Sequence, residues 1–178
     1  MAGRAELDTT LDRLVRDVPD WPKPGVLFKD ITPLLGDADG FALVVDSLVA
    51  AYAPGSVDMV VGIEARGFIL AAPVAYHLHA GFVPVRKQGK LPATTLTESY
   101  ALEYGEATLE IHADALVPGA RVLIVDDVLA TGGTAAATTD LVRRAGGTVV
   151  GLSVLIELGF LDGRSRVPDL DVTSLRLV

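Results

Sequence analysis

The feature that most constrains the fold is a series of short, continuous apolar runs separated by segments of helical character. A strand that is apolar on both faces must be covered on both faces, so this pattern predicts a parallel sheet between layers of helices. The sequence therefore predicts an α/β fold whose ligands bind beyond the carboxyl ends of the strands. The predicted strands are DMVVGIE, GFVPVRK, ARVLIVDD, GTVVGLSVLIEL and VTSLRL.

The segments between these strands complete the predicted organisation. Apolar residues at helical spacing predict helices over residues 5–18, over GFALVVDSLVAAYA up to Pro54, over ARGFILAAPVAYHLHA and over residues 134–145. YALEYG and ATLEIHA alternate apolar with polar residues, which predicts a β-hairpin, and the Thr-rich stretch QGKLPATTLTES before it predicts a mobile loop. We expect one domain over residues 1–178.

Composition excludes several classes of function. A formal net charge of −8 argues against a general binder of nucleic acid or of an acidic membrane, although it leaves a small phosphate ligand open. The absence of cysteine excludes disulfides, thiolate catalysis and zinc–thiolate sites. The first residues lack the apolar core of a signal peptide, and the most apolar run, Phe68 to Tyr76, is too short to span a bilayer. We therefore expect a cytoplasmic protein.

The stretch VLIVDDVLATGGTAAA, from Val122 to Ala137, joins a strand, two acids, a glycine pair and a helix. The glycines let an anion approach the backbone, the helix start supplies N–H groups, and Thr131 and Thr134 add hydroxyls. This arrangement predicts a cradle for a phosphomonoester. It lacks the lysine of a nucleotide P-loop and the GxGxxG dinucleotide fingerprint. Carboxylates at Asp126 and Asp127 can meet the two hydroxyls of a sugar and stabilise a positive charge that develops on it.

VLIVDDVLATGGT resembles the phosphoribosyl pyrophosphate (PRPP) signature of the type I phosphoribosyltransferases. From about Val18 to Glu157 the chain resembles, more narrowly, the adenine phosphoribosyltransferases, through PKPGVLFKDITPLL, VVGIEARGF, GFVPVRKQGKLP and YALEYGEATLEIHADAL. The resemblance implies the type I phosphoribosyltransferase fold, with an N-terminal hood at about residues 1–35 and a flexible active-site loop at about 88–105. It also implies Mg²⁺ and a reaction of purine salvage, in which PRPP and adenine give AMP and diphosphate.

The same resemblance implies roles for the residues that contact PRPP. Asp126 and Asp127 would hold the ribose hydroxyls and position Mg²⁺, which is bound mainly by PRPP and water. The backbone and hydroxyl groups that would cradle the 5-phosphate are those of Ala130, Thr131, Gly132, Gly133 and Thr134. The cations that would bind pyrophosphate are Arg66, Arg86, Lys87 and Lys90. An arginine matching Arg86 can reach the neighbouring subunit's site in the family, which implies a homodimer.

The resemblance further implies how the base is read. Glu103 in LEYG would be the acid or base group near N7 of adenine, and Tyr104 would close over the ribose. Main-chain groups around Leu27 and Lys29 would meet the edges of the base. Phe28 would pack beneath the ring of the base or within the hood core, and Leu158 would form an apolar wall against the base. Lys29 stands where relatives often have arginine.

Two alternatives remain open from the sequence. The first is a phosphoribosyltransferase for another base, such as hypoxanthine or guanine. The relatives with that specificity usually pair glutamate with aspartate in the signature and read the 6-oxo group with a lysine, which the residues after VLIEL lack. The second is a regulator that binds PRPP without transferring it, which usually carries a nucleic-acid-binding patch that this acidic chain lacks.

Overall fold

The computed structural model describes residues 3–101 and 106–178. The chain divides into two compact units, of which the first ends at Ser47 and the second begins at Leu48. The predicted hood therefore lies in the first unit, and the PRPP signature lies in the second. The expectation of one domain with a hood over residues 1–35 stays a prediction.

The first unit pairs helices with a short antiparallel ribbon. Its elements are α1 (Arg4–Leu14), β1 (Arg16–Pro19), β2 (Leu27–Asp30), α2 (Thr32–Leu35) and α3 (Ala38–Val49), which continues into the second unit. β1 and β2 pair with Val18 opposite Phe28. Leu7, Leu11 and Leu14 form one buried face of α1, so the spacing that predicted a helix here also identified its buried face.

Both predicted helices of this region are shorter than the sequence indicated. α1 ends at Leu14 rather than at residue 18, because Val15 already has an extended backbone and the next residues pair with β2. α3 ends at Val49 rather than near Pro54, and the chain then turns through a hydrogen bond from Tyr52 N to Val49 O. The apolar periodicity of the sequence continues past both helix ends. It cannot predict the strand pairing that ends α1 or the turn that follows α3.

The second unit is built on a mainly parallel sheet. Its elements are β3 (Met59–Ile63), α4 (Gly67–Leu78), β4 (Gly81–Lys87), β5 (Thr95–Ala101), β6 (Glu106–His112), β7 (Arg121–Leu129), α5 (Gly133–Arg144), β8 (Thr148–Glu157) and β9 (Val172–Leu177). Across the described residues the sheet is seven-stranded, in the order β5-β6-β4-β3-β7-β8-β9. β3, β4, β7, β8 and β9 pair in parallel, whereas β5 and β6 form an antiparallel hairpin at one edge. The predicted fold class is confirmed.

Central strand β7 places the candidate site. Val122, Leu123, Ile124 and Val125 are fully buried, as their unbroken apolar run predicted. The strand continues past the two predicted terminal acids to Leu129, because Val128 and Leu129 still pair with Ile156 and Glu157 of β8. The acids are therefore held inside a paired strand rather than in a free loop, and the glycine turn follows directly after it.

The predicted hairpin is confirmed and is longer than its sequence pattern indicated. β5 begins at Thr95 rather than at Tyr100, so part of the Thr-rich stretch is paired strand, with Thr97 opposite Glu110. Arg144 of α5 donates hydrogen bonds to Thr97 O and to Glu98, both at 2.7 Å. Residues 102–105, which include the predicted Glu103 and Tyr104, lie outside the described residues.

Candidate functional site

The candidate site lies where β3 and β7 end beside each other. The two strands are in parallel register, with Gly62 opposite Val125, so the residues that follow them meet at one edge of the sheet. α4 begins at Gly67 after β3, and α5 begins at Gly133 after β7. This edge thus combines two helix N-termini with the polar residues of EARG and DDVLATGG, as expected for a ligand site in a parallel sheet.

The predicted phosphate cradle is a cavity of about 60 Å³ at the start of α5. Ala130, Thr131, Gly132, Gly133 and Thr134 all line it, together with Asp126. Gly132 has φ of 80°, a left-handed conformation that favours glycine, and α5 begins at the next residue. The first N–H groups of a helix lack partners inside that helix, so the cavity offers backbone donors to an anion.

Close neighbours require both glycines of the cradle. A Cβ atom on Gly132 would lie 2.3 Å from the carbonyl oxygen of Gly163, and one on Gly133 would lie 2.9 Å from Cδ2 of Tyr100. The Tyr100 hydroxyl accepts a hydrogen bond of 2.9 Å from the hydroxyl of Thr134. Sequence reasoning missed Tyr100, whose place beside the cradle depends on how β5 packs against α5.

Asp126 and Asp127 are brought against the start of α4. Arg66 Nη2 and Asp127 Oδ2 lie 2.8 Å apart and form an ion pair. Asp127 Oδ2 is buried, and within the described residues it accepts no well-aligned hydrogen bond. The backbone N–H of Asp127 donates to Asp126 Oδ1 at 2.9 Å. A Cβ atom on Gly67 would lie 2.7 Å from Asp126 Oδ1, so glycine here leaves space for the carboxylate.

The two neighbouring acids affect each other's ionisation. Burial raises the pKa of Asp126 well above its usual range, and the charge of Asp127 raises it further, whereas Arg66 opposes the rise. A cationic ligand or a developing positive charge beside this pair would be strongly favoured, because it would relieve the repulsion between the carboxylates.

The predicted cationic stretch is anchored by an acid that sequence reasoning missed. Glu64 accepts a hydrogen bond of 3.1 Å from Arg86 Nε and another of 3.1 Å from the backbone N–H of Lys87. Burial raises the pKa of Glu64, but these hydrogen bonds outweigh it and lower the pKa below its usual value. Arg86 Nη1 also donates to Lys90 O at 3.0 Å, and the N–H of Lys90 donates to Glu110. Arg86, Lys87 and Lys90 thus form one cluster around Glu64. Glu64 lies two residues before Arg66 in the sequence.

The predicted base-reading residues of the hood lie on β2 in the first unit. Lys29 Nζ lies 2.6 Å from Asp17 Oδ1, so its side chain is engaged within the ribbon. The Phe28 ring packs against Trp21 with centroids 4.3 Å apart, and this contact gives Trp21 a packing role that its sequence context did not indicate. The Leu27 side chain is half exposed. The roles of Leu27, Phe28 and Lys29 toward the base stay predictions.

Leu158 directly follows β8, and its N–H donates to Leu129 O at 2.9 Å. The preceding residue, Glu157, is buried and accepts hydrogen bonds of 2.6 and 2.7 Å from Arg164. These hydrogen bonds lower the pKa of Glu157 below its usual value. The strand pattern identified Glu157 only as a terminal acid, and Arg164 stood in a turn without a distinctive motif.

The site offers Mg²⁺ a pair of neighbouring carboxylates. Asp126 and Asp127 supply the hard oxygen atoms that this ion prefers. Among residues 3–101 and 106–178, no three acidic, histidine or cysteine side chains cluster closely enough to hold a metal ion. The residues therefore fit an ion that is bound mainly by substrate oxygens and water, with support from these carboxylates.

No helix within the described parts of the chain is both long and apolar enough to cross a bilayer. The most apolar run, Phe68 to Tyr76, lies in α4, which has only 12 residues.

Comparisons with known proteins agree with this geometry. Residues 41–175 match the family model of the phosphoribosyl transferase domain. The chain is 62% identical over 173 residues to the adenine phosphoribosyltransferase of Thermobifida fusca, covering 97% of this chain and 98% of that one. It is similar to the crystal structure of adenine phosphoribosyltransferase from Rhodothermus marinus, with a TM-score of 0.92, 54% identity and coverage of 98% and 99%. It is also similar to the Saccharomyces cerevisiae enzyme complexed with an imino-altritol bisphosphate and adenine, with a TM-score of 0.91, 36% identity and coverage of 96% and 99%.

Proposed function

Since the chain belongs to the adenine phosphoribosyltransferase family, we infer that it transfers the 5-phosphoribosyl group of PRPP to adenine, giving AMP and diphosphate in purine salvage, and we propose how its residues do so. The main support for these roles is one cavity at the start of α5, which both the glycine cradle and Asp126 line. A phosphate in that cavity would leave the attached ribose next to both acids.

We assign the 5-phosphate to the cradle of Ala130, Thr131, Gly132, Gly133 and Thr134. Backbone N–H groups at the start of α5 donate to the phosphate, and the two threonine hydroxyls add donors. Because the Thr134 hydroxyl donates to Tyr100 in this structure, it must turn toward the phosphate when PRPP binds. Tight binding of this remote group holds the anomeric carbon in place for reaction.

Asp126 and Asp127 bind the two ribose hydroxyls. The bond from the anomeric carbon to pyrophosphate breaks as N9 of adenine attacks, and positive charge develops on the ring in the transition state. The paired carboxylates stabilise that charge, because a positive charge beside them offsets the repulsion between the two acids.

The departing pyrophosphate is bound by Arg66, Lys87 and Lys90, with Arg86 held by Glu64 in the same cluster. Arg66 carries an ion pair to Asp127, so its guanidinium links the leaving-group side of the site to the ribose side. Asp126 and Asp127 would hold Mg²⁺ through water while PRPP supplies the other oxygens. The ion, when bound, neutralises charge on the pyrophosphate and makes it a better leaving group.

The base is assigned to Leu27, Phe28 and Lys29 of the hood, to Leu158 as an apolar wall and to Glu103, with Tyr104 closing over the ribose. Adenine in the complex of the yeast relative supports a family site for this base. The Lys29 side chain is engaged by Asp17, which supports base reading through the main chain around Lys29 rather than through its ammonium group. Closure of the loop over the site would exclude water, which would otherwise hydrolyse PRPP.

Replacing Glu103 by glutamine tests the enzyme mechanism. We expect kcat to fall by about 100-fold, because the variant loses the acid or base group for the ring proton of adenine. The Kd of PRPP should stay within twofold. Glu106→Gln, three residues away on β6, is the matched control and should leave kcat unchanged. An unchanged kcat in the Glu103 variant would show that this residue does not handle a proton.

We also propose a homodimer. The face of α4 carries Ile69 and Tyr76, which are 43% and 76% exposed, and Phe82 of β4 is 38% exposed and contacts Phe68 of the same helix. An exposed apolar face favours burial against a second copy of the chain, in agreement with the expectation that Arg86, on the same strand as Phe82, serves the neighbouring site.

Light scattering should give twice the chain mass of 18.6 kDa. Tyr76→Asp should shift the protein to the single-chain mass because it places a charge on the apolar face. Val117→Asp, at a position that is 71% exposed elsewhere, should leave the mass unchanged. A wild-type protein with the mass of one chain would contradict the proposal.

We propose a cytoplasmic location, which agrees with a chain that contains no cysteine. Detection of the protein in the soluble cytoplasmic fraction of the cell is the direct measurement. Recovery from a secreted or membrane fraction would contradict it.

A further inference from the structure

A short segment that begins at Leu158, the proposed wall of the base site, packs directly against the phosphate cradle. Residues 158–166, called the buttress segment from here on, follow β8 and contain two 3₁₀ turns, Gly159–Leu161 and Gly163–Arg166. The segment lines no wall of the cradle cavity. Its contacts are instead with the backbone that forms the cradle.

The contacts between the buttress segment and the cradle are unusually close. A Cβ atom on Gly163 would lie 2.3 Å from Ala130 O and 3.1 Å from Gly132 N, and one on Gly132 would lie 2.3 Å from Gly163 O. The N–H of Leu158 donates to Leu129 O at 2.9 Å. The backbone of the cradle thus rests on the backbone of the buttress segment without a side chain between them, so a shift of one moves the other.

One side chain fixes the buttress segment to the sheet. Arg164 donates from Nε and Nη2 to the two carboxylate oxygens of Glu157, at 2.6 and 2.7 Å, and from Nη1 to Val172 O at 2.9 Å. Glu157 ends β8 and Val172 begins β9. The arginine therefore ties the turn at Gly163 to two strands of the sheet through a planar fork.

Exposure distinguishes this ion pair from an ordinary surface pair. The Glu157 side chain is only 7% exposed, so loss of Arg164 would leave a buried carboxylate without its cation, which costs far more than the loss of a solvated pair. Glu157 also lies one residue before Leu158, the proposed wall of the base site. Glu157 precedes Leu158, and Arg164 follows Gly163, so their ion pair holds both ends of the stretch that contacts the cradle.

We propose that Arg164, through its two-pronged ion pair with Glu157, is a positioning residue that holds the buttress segment against residues 130–132 and so sets the cradle's amides for the 5-phosphate. In the proposed mechanism Arg164 contacts no substrate. The proposal rests on the proposed function of the cradle. It predicts that the geometry of the fork, and not merely its charge, governs affinity for a ribose phosphate.

Arg164→Lys is the direct test, because lysine keeps the positive charge beside Glu157 but cannot form the fork. Calorimetric titration should show that the Kd of ribose 5-phosphate rises by about tenfold, while the Kd of pyrophosphate, which binds on the Arg66 side, stays within twofold. Glu157→Gln should give the same selective loss. The double variant should lose no more than either single variant, because the two side chains act as one unit.

Arg121→Lys is the matched control. Arg121 forms a similar fork with Asp58, at 2.6 and 2.9 Å, and its side chain is 45% exposed against 47% for Arg164. It begins β7, at the other end of that strand from the cradle. Its replacement should leave both Kd values within twofold even if Tm falls by as much as in Arg164→Lys.

The outcomes separate the positioning role from its premise. A Kd for ribose 5-phosphate that stays within twofold in Arg164→Lys, while the wild-type protein binds normally, would overturn the positioning role alone. An equal loss of ribose 5-phosphate and pyrophosphate binding would also overturn it, because the effect would then be general. Failure of the wild-type protein to bind ribose 5-phosphate would overturn both the cradle and the role of Arg164.

Discussion

Replacing Gly132 by alanine should lower kcat/KM for PRPP by at least about 100-fold. The new methyl group would lie 2.3 Å from Gly163 O, and the backbone at this position has φ of 80°. Because the obstacle is backbone on the neighbouring segment, the cradle itself must shift. Its N–H groups would then no longer match the phosphate oxygens, and binding of the 5-phosphate would be lost together with the positioning of the anomeric carbon. Steady-state kinetics with PRPP as the varied substrate measures the effect.

Gly119→Ala separates the loss of space from the strain of the backbone. Gly119 has nearly the same φ, 81°, but a Cβ atom there would meet nothing within 4 Å. Both variants carry a left-handed alanine, which costs about 1 kcal/mol of stability, whereas only Gly132→Ala disturbs the cradle. A Gly132 variant that keeps kcat/KM near that of Gly119→Ala would show that the cradle does not bind the phosphate.

The second large effect is expected from Asp127→Asn, which should lower kcat/KM by about 100-fold. Asparagine preserves the shape but removes the charge that faces Arg66 at 2.8 Å and that would stabilise the ribose cation. The pKa of Asp126 should fall toward its usual value, because the neighbouring charge that helps to raise it is gone. The loss should therefore lie mainly in kcat, since the charge matters most in the transition state.

Asp58→Asn is the control for this change. Asp58 is also bound by an arginine, Arg121, but at the opposite end of β7, and it is 43% exposed. The same chemical replacement there should leave kcat unchanged. If Asp127→Asn retained kcat within threefold of the wild-type protein, Asp127 would have no part in stabilising the transition state.

Much of the fold was predictable from the sequence because the strands of a parallel sheet are apolar on both faces. The run Val122 to Val125 is fully buried, and the segments predicted as GFVPVRK and VTSLRL are β4 and β9 with the same bounds. The glycine pair of the cradle was equally readable, since a left-handed turn before a helix leaves few alternatives to glycine. These features depend on neighbours along the chain.

Other features depend on contacts between distant segments and were not predictable from local pattern. The end of α1 at Leu14 reflects pairing of β1 with residues near Asp30. Tyr100 binds Thr134 across 34 residues, and Glu64 anchors Arg86 across 22 residues. Arg164 is close to Glu157 in sequence, but its importance follows from the packing of Gly163 on the cradle. No local sequence motif marks any of these residues, because their roles arise from contacts that form only in the folded chain.

The most direct test of the account is nucleotide formation by the purified protein with PRPP and Mg²⁺, offered adenine, hypoxanthine, guanine and orotate in parallel. We expect AMP from adenine and no product from the other bases. Formation of IMP or GMP would retain the PRPP site but contradict the assignment of adenine to the hood and Leu158. Binding of PRPP without product from any base would contradict the transfer reaction itself.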